Sequence, residues 1–333
     1  NACGCNVLFL ERNVPWYAAN QDLPEPDYCD LRFYDDLDAL FTHFDREIRD
    51  ADAVIVGSYL PEGVAVLDHV LARAHATIAF YDIDTPVTLA KLARGDEEFL
   101  ARRQIPMLDI YFSFAGGENL DRLEREFGAQ RATALYCSVQ AERYRPTGEV
   151  RNWDLGYIGT YSSDRQPSLE RLLIEPARRL PDRRFLVAGP QYPHIAWPEN
   201  VERIEHLSPA LHASCYSRQR FTLNLTRADM IRAGWSPSVR LFEAGACRTP
   251  VISDEWRGLT ELFPENEAIF LAQTSDDVVQ VLTQTTDEAG AAVARNAQSI
   301  VLAHHTGKQR AAQMLQSLML ESTNIDFAGN YRT

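Results

Sequence analysis

In the segment SPSVRLFEAGACRTPVISD, residues 236–254, a helix-opening signature is followed by an arginine and, about one helical turn later, by a glutamate. Ser236 and Ser238 are capping residue types, and Pro237 between them suits a first helical turn. A helix N-terminus presents backbone N–H groups and partial positive charge. With Arg240 in that first turn, it suits a pyrophosphate. Glu243 falls on the same helix face as Val239 and Arg240, and a carboxylate is a strong acceptor for two adjacent hydroxyls such as those of a ribose. The plainer alternatives are a solvated acid at Glu243 and an Arg240 paired with an acid of its own helix. Gly245, Ala246 and Cys247 are small, which lets the helix pack closely on a sheet.

Other residues with chemical capacity stand at the ends of apolar runs. Gly159 and Thr160 close one such run and Arg165 follows, either as a phosphate clamp or as a surface arginine. Gly189 and Pro190 close the next, and Asn224, Thr226 and Arg227 end a third, where strand-end capping is the alternative. In the first half, Asp82 and Asp84 follow an apolar run in FYDIDTP. They either polarise an acceptor hydroxyl or cap the helix opened by Thr85-Pro86. Gly116 and Gly117 let a ligand approach the backbone. The histidines show no metal spacing.

These residues need a scaffold of parallel strands. Strands are expected at 7–11, 31–34, 53–58, 77–81, 110–114 and 134–137, with helices at 37–50, 63–74, 85–103 and 118–127 between them. Alternation of short apolar strands with amphipathic helices predicts a parallel sheet covered on both faces. The polar run RPTGEVRNWD, 145–154, reads as a linker. Alternation then resumes, with strands expected at 155–160, 184–188, 201–205, 221–225, 251–253 and 268–271. Helices are expected at 168–180, 209–217, 239–246, 259–263 and 276–285, and a helical tail at 289–321. The expected fold class is α/β, with two Rossmann-like parallel-sheet lobes facing a central cleft, where ligands of such sheets sit. The lobes are placed at 1–147 and 148–305, and 306–333 forms a C-terminal helix and tail packing back on the first lobe.

A chain of 333 residues, 45% hydrophobic and 24% charged, has material for two cores. The 33 basic and 47 acidic side chains leave a formal charge of −14, which argues against nucleic acid or an anionic membrane surface as partner. The longest apolar runs, such as 53–57, fall far short of the ~18–20 residues of a membrane span. Cys3, Cys5, Cys29, Cys137, Cys215 and Cys247 are scattered without a paired framework, which reads as free thiols in the cytoplasm.

Several stretches resemble the GT-B glycosyltransferases, and most closely their CgeB-like branch, similar to spore maturation proteins, with its glycosyl transferases group 1 type C-terminal domain. They are LGYIGTYSSDRQ at 155–166, FLVAGPQYP at 185–193, FTLNLTRADM at 221–230, the signature at 236–254, and ALYCSVQAERYRP at 134–146 ahead of the second lobe. The resemblance implies a hexosyltransferase that moves sugar from a nucleoside diphosphate sugar, such as a UDP- or GDP-sugar, to an acceptor hydroxyl. It implies a metal-independent, retaining reaction with no cofactor.

On that basis the donor site comprises Gly159, Thr160, Gly189, Pro190, Asn224, Arg227, Trp235, Ser236, Ser238, Arg240 and Glu243, with Glu243 on the ribose. Arg165, Arg240 and Asp82 are the catalytic candidates. Many retaining members carry a first glutamate eight positions before the one matching Glu243; here that position is Trp235. The hexose contact then falls to Trp235 by stacking, to Asp254, or to the loop 255–258, and a packing role for Trp235 is the alternative. The fold normally opens with a strand, a Gly-rich loop and a helix, whereas this sequence starts just ahead of Val7. A sugar-nucleotide epimerase or hydrolase on the same fold, and an inactive nucleotide-sugar-binding protein, are the competing readings.

Overall fold

The computed structural model describes residues 3–14 and 25–318. The chain divides into two compact units, one running to Tyr136 and resuming at Arg310, the other Cys137–Gln309.

In the first unit, β1 (Leu8–Arg12) pairs in parallel with β2 (Asp30–Tyr34). A separate four-stranded parallel sheet follows chain order: β3 (Ala53–Gly57), β4 (Thr77–Asp82), β5 (Ile110–Ser113) and β6 (Ala132–Ala134). Leu67, Phe80, Leu89, Phe112 and Tyr111 are fully buried around it. The helix expected over 37–50 is two, Leu37–His43 and Asp45–Asp50, broken at Phe44. The one expected over 85–103 stops at Ala93, because Gly95 adopts φ +77° and ends it in a left-handed turn.

The tail is likewise two helices, Asp287–His304 and Gly307–Ser317. Positions 319–321 of the expected tail lie outside the described residues. The second of these helices and Leu318 after it lie against the four-stranded sheet, with Met314 and Leu318 packed among Ala79, Ile110, Phe112 and Leu135. Gln313 Nε2 donates to the Ala134 carbonyl (2.8 Å), Arg310 Nε to that of Tyr136 (2.7 Å), and Arg131 Nη1 to that of Ser317 (2.9 Å).

The stretch expected as a linker is tied down within the second unit. Thr147 N bonds Ser217 Oγ at 3.2 Å, Ser214 Oγ bonds Glu149 Oε2 at 2.6 Å, and Asn152 N bonds the Arg218 carbonyl at 2.7 Å. Its backbone amides and the Glu149 carboxylate reach the helix His212–Ser217 and the turn after it.

The second unit is built on β7 (Trp153–Ile158), β8 (Phe185–Ala188), β9 (Val201–Ile204), β10 (Gln219–Asn224), β11 (Val251–Ser253) and β12 (Phe270–Leu271). Their order is β12-β11-β10-β7-β8-β9, every pair parallel. The chain fills one side of β7 with β8 and β9, then crosses to fill the other from β10 onward. The strand order therefore reverses between β7 and β10, and ligands of open parallel sheets bind beyond the strand C-termini at such a point.

The helix over 166–179 contains a wide turn at Glu170–Ile174. Pro176 accounts for it: it has no N–H to give the Leu172 carbonyl and its ring crowds that oxygen, so the helix widens there.

The signature helix forms over Val239–Ala246, as its sequence predicts, but its small residues serve a different neighbour. A Cβ at Gly245 would stand 2.8 Å from Val301 Cγ2 and 3.7 Å from the Ala297 carbonyl, so the close approach is to the helix Asp287–His304 rather than to the sheet. Gly245→Leu should destabilise the protein by about 1–3 kcal/mol through overpacking, read as a lowered denaturation midpoint; an unchanged midpoint would show that the two helices can separate freely.

Candidate functional site

Arg240 is the centre of the site. Its side chain is 9% exposed and lies across the C-terminal ends of the two strands where the sheet order reverses. Nε donates to the Ile158 carbonyl at the end of β7 (2.7 Å), and Nη1 donates to Asn224 Oδ1 at the end of β10 (3.0 Å). A longer contact joins Nη1 to Ser238 Oγ (3.4 Å), and the guanidinium carbon stands 5.0 Å from the Tyr157 ring centre.

Every hydrogen bond that Arg240 makes among the described residues is to a neutral acceptor. Burial disfavours its charge, while Tyr157, Tyr216, Glu243 and Asp254 nearby hold its pKa above the ordinary arginine value. Buried charges are normally paired. A buried guanidinium bonded only to carbonyls and a hydroxyl is therefore suited to an anionic ligand.

The sequence-predicted glycines surround this cation. A Cβ on Gly159 would come within 3.1 Å of Arg240 Nη2 and 2.5 Å of the Tyr157 hydroxyl, so only glycine fits. Gly189 has φ +147°, and a Cβ there would run into the Gly159 carbonyl. Gly189 and Pro190 thus support the Gly159–Thr160 turn from behind, with Tyr161 N donating to the Pro190 carbonyl at 3.0 Å. Two aromatic residues that sequence reasoning missed brace the same turn. Tyr192 OH donates to the Gly159 carbonyl (3.1 Å), and Arg203 lies 4.3 Å from the Tyr192 ring centre and 4.9 Å from that of Trp197, donating to the Gly189 carbonyl at 2.9 Å.

Arg165 folds back on the turn, Nη2 donating to the Thr160 carbonyl at 2.9 Å, with its Nε buried and lacking a partner among the described residues. Burial raises the Tyr192 phenol while the charges of Arg203, Arg165 and Arg240 oppose the rise, so Arg165 and Arg240 act on the same small region.

Ser238 heads the signature helix but does not cap it; its hydroxyl donates to Asn224 Oδ1 at 2.6 Å. Asn224 is 0% exposed and gives Nδ2 to Ser253 Oγ at 2.9 Å. Asp254, also buried, accepts from Thr226 N and Thr226 Oγ1, both at 2.7 Å, and burial raises its pKa against those bonds. Glu243 is half-buried one turn beyond Arg240 and accepts from Tyr216 OH at 2.9 Å. Tyr144 lies beside it: its phenol is raised first by burial and then by the Glu243 carboxylate. No motif in the sequence tied Tyr144 or Tyr216 to Glu243.

Other predicted residues have different surroundings. Ser236 is buried and donates to the Gly234 carbonyl at 2.8 Å, so it shapes the turn before the helix. Arg227 is exposed and heads the helix Ala228–Ala233, which the sequence reading did not anticipate. Trp235, with φ +43°, packs on the loop that follows β11. Its Nε1 donates to Glu261 Oε2 (2.9 Å), the Arg257 guanidinium stands 5.4 Å from its ring centre, and a Cβ at Gly258 would strike its indole. These contacts are those of the packing alternative for Trp235.

Asp82 belongs to the first unit and has 0% exposure. Oδ2 accepts from Tyr111 OH (2.6 Å) and Oδ1 from Thr88 Oγ1 (3.0 Å) and Asp84 N (3.1 Å). These are the contacts of the turn-and-helix alternative, with the carboxyl sealed under three donors. Among the described residues no group of His, Cys, Asp and Glu is arranged to hold a metal ion, and no helix is long and apolar enough to cross a membrane.

Burial raises the pKa of Asp82. A carboxyl whose pKa is higher folded than unfolded contributes stability below the unfolded value and loses it as pH rises through the folded one. Asp82→Asn should therefore gain stability relative to the wild type as pH rises from about 4 towards 7. Parallel thermal melts check this, and a gap that widens the other way contradicts the assignment.

Residues 165–316 match a family model described as glycosyl transferase-like. No curated protein matches the chain. Among solved structures it resembles Anabaena HepE in complex with UDP-glucose, at 12% identity and TM-score 0.67 over 94% of this chain and 99% of that one. It also resembles the sucrose-phosphate synthase of Thermosynechococcus elongatus, at 13% identity and TM-score 0.65 over 95% and 88%. The E. coli trehalose-6-phosphate protein bound with UDP-2-fluoro glucose aligns at 10% identity and TM-score 0.62 over 85% and 76%. The architecture of parallel-sheet lobes is that of the GT-B glycosyltransferases.

Proposed function

We propose that the protein is a glycosyltransferase that takes a sugar from a nucleoside diphosphate sugar, with the diphosphate held at Arg240. The observation that carries this is the buried guanidinium at the β7–β10 reversal, bonded only to neutral acceptors. The glycosyl transferase-like match over 165–316 includes Asn224, Ser238, Arg240 and Glu243 but not the end of β7, and structural neighbours hold UDP and UDP-glucose.

The diphosphate would lie against the first turn of Val239–Ala246 and the Gly159–Thr160 turn, where backbone N–H groups and the guanidinium give charge-assisted bonds. Glu243, fixed by Tyr216, would accept the ribose hydroxyls. The bond from the anomeric carbon to the diphosphate oxygen breaks and a bond to the acceptor oxygen forms. The acceptor's proton passes to the leaving diphosphate, whose growing charge Arg240 stabilises. That scheme is retaining and needs neither a metal nor a protein nucleophile. A hexose as the transferred sugar, a place in the CgeB-like branch, and a cytoplasmic setting belong to the same reading.

Thermal-shift titration with UDP-, GDP-, dTDP- and ADP-sugars should give a rise in melting temperature for at least one, since a ligand of the native state stabilises it. Arg240→Met should stay folded and lose about 10- to 100-fold in affinity for that nucleotide, the scale of one or two charged hydrogen bonds. Glu243→Gln should weaken binding of the nucleoside diphosphate but not of inorganic pyrophosphate. Wild-type affinity in Arg240→Met would remove the basis of the assignment.

A further inference from the structure

Asn224 is fully buried, so no ligand of the site can touch it, yet its amide contacts two of the groups that define the site. Its carbonyl oxygen accepts from Arg240 Nη1 (3.0 Å) and from Ser238 Oγ (2.6 Å), while its nitrogen donates to Ser253 Oγ (2.9 Å). The orientation of the amide is fixed, because a guanidinium can only donate. Ser238 occupies the capping position of Val239–Ala246 with an extended backbone (φ −81°, ψ 153°), the conformation from which serine ordinarily accepts a bond from an amide of the first turn. It makes no such bond. The short bond to Asn224 sets its rotamer so that the oxygen faces the strand end and leaves the helix amides alone.

Resting on the donor-site reading above, we propose that Asn224 is a positioning residue that diverts Ser238 from capping its own helix and aims Arg240. The Arg240 amide of the first turn and the guanidinium are thereby kept for an anionic ligand. A serine left to itself would cap the helix and compete with the ligand for the same amides. The buried, carboxylate-free guanidinium is the independent sign that an anion belongs there.

The test uses the unliganded full chain and inorganic pyrophosphate. In Asn224→Ala, Ser238 is released to cap. Hydrogen exchange at the Arg240 amide should slow by about fivefold, the scale of one capping bond, while the Leu241 amide already donates to the Ser238 carbonyl (3.1 Å) and serves as the internal reference; pyrophosphate affinity by calorimetry should fall roughly tenfold. Adding Ser238→Ala should reverse the slowed exchange and recover part of the affinity, a coupling that loss of structure alone does not produce. Exchange that is unchanged or faster in Asn224→Ala, or a double variant no different from it, overturns the proposal. If Asn224→Ala does not fold, Ser238→Ala alone decides. Exchange at the Arg240 amide should stay within about twofold of wild type, and acceleration would show that Ser238 was already the cap. Failure of the wild type to bind pyrophosphate while the exchange pattern follows this prediction would sink the donor-site reading and leave Asn224's hold on the cap standing.

Discussion

A guanidinium taken out of water must be held by something, and in this protein the Arg240 side chain is held by two neighbouring strand ends. Nε reaches the last carbonyl of β7 and Nη1 the last side chain of β10. Much of the second unit follows from that requirement. Glycine is needed at position 159 because a Cβ would crowd Nη2, and at position 189 because a Cβ would strike the 159 carbonyl. The Tyr192–Arg203–Trp197 stack holds this glycine turn in place from the far side. Polar burial at Asn224, Ser253, Thr226 and Asp254 fixes the other strand end.

Two buried ionisable groups at strand ends show how burial alone misleads. Asp82 and Arg240 both follow or span parallel strands and both have neutral partners. Asp82 receives three donors and turns no surface outward, so its charge, or its proton, is fully accommodated by the fold. Arg240 keeps a bare glycine beside Nη2 and an uncapped helix terminus nearby. A sealed, satisfied group is architecture, whereas a charged group with neighbours kept small and amides kept open is poised for a ligand.

The parallel strands and the signature helix were legible because apolar runs and a capping sequence are local signals; Val239–Ala246 and Val251–Ser253 fall where they were expected. Local signals also explain the misses. The break at Phe44 has no glycine or proline to announce it, and the short, half-buried helix Ala228–Ala233 contributes no fully buried residue, so it carries no apolar period. At the site, the types and spacing of Arg240 and Glu243 showed that an anion and a diol could be bound. What could not be read was partnership across the sequence: Asn224 with Ser238, Tyr216 with Glu243, Tyr192 with Gly159. Those pairs are made by the order of strands in the sheet, which no short stretch of residues specifies. Gly245 shows the same limit, since its motif pointed to the sheet and its neighbour in space is the helix Asp287–His304.

The central claim is that Arg240 is held at the reversal point to receive a diphosphate. A crystal structure of the protein with UDP tests it most directly. The account predicts a diphosphate oxygen within hydrogen-bonding distance of the Arg240 guanidinium and of the first-turn amides of Val239–Ala246. UDP bound with its diphosphate away from both, and Arg240 still bonded only to Ile158, Asn224 and Ser238, would contradict it.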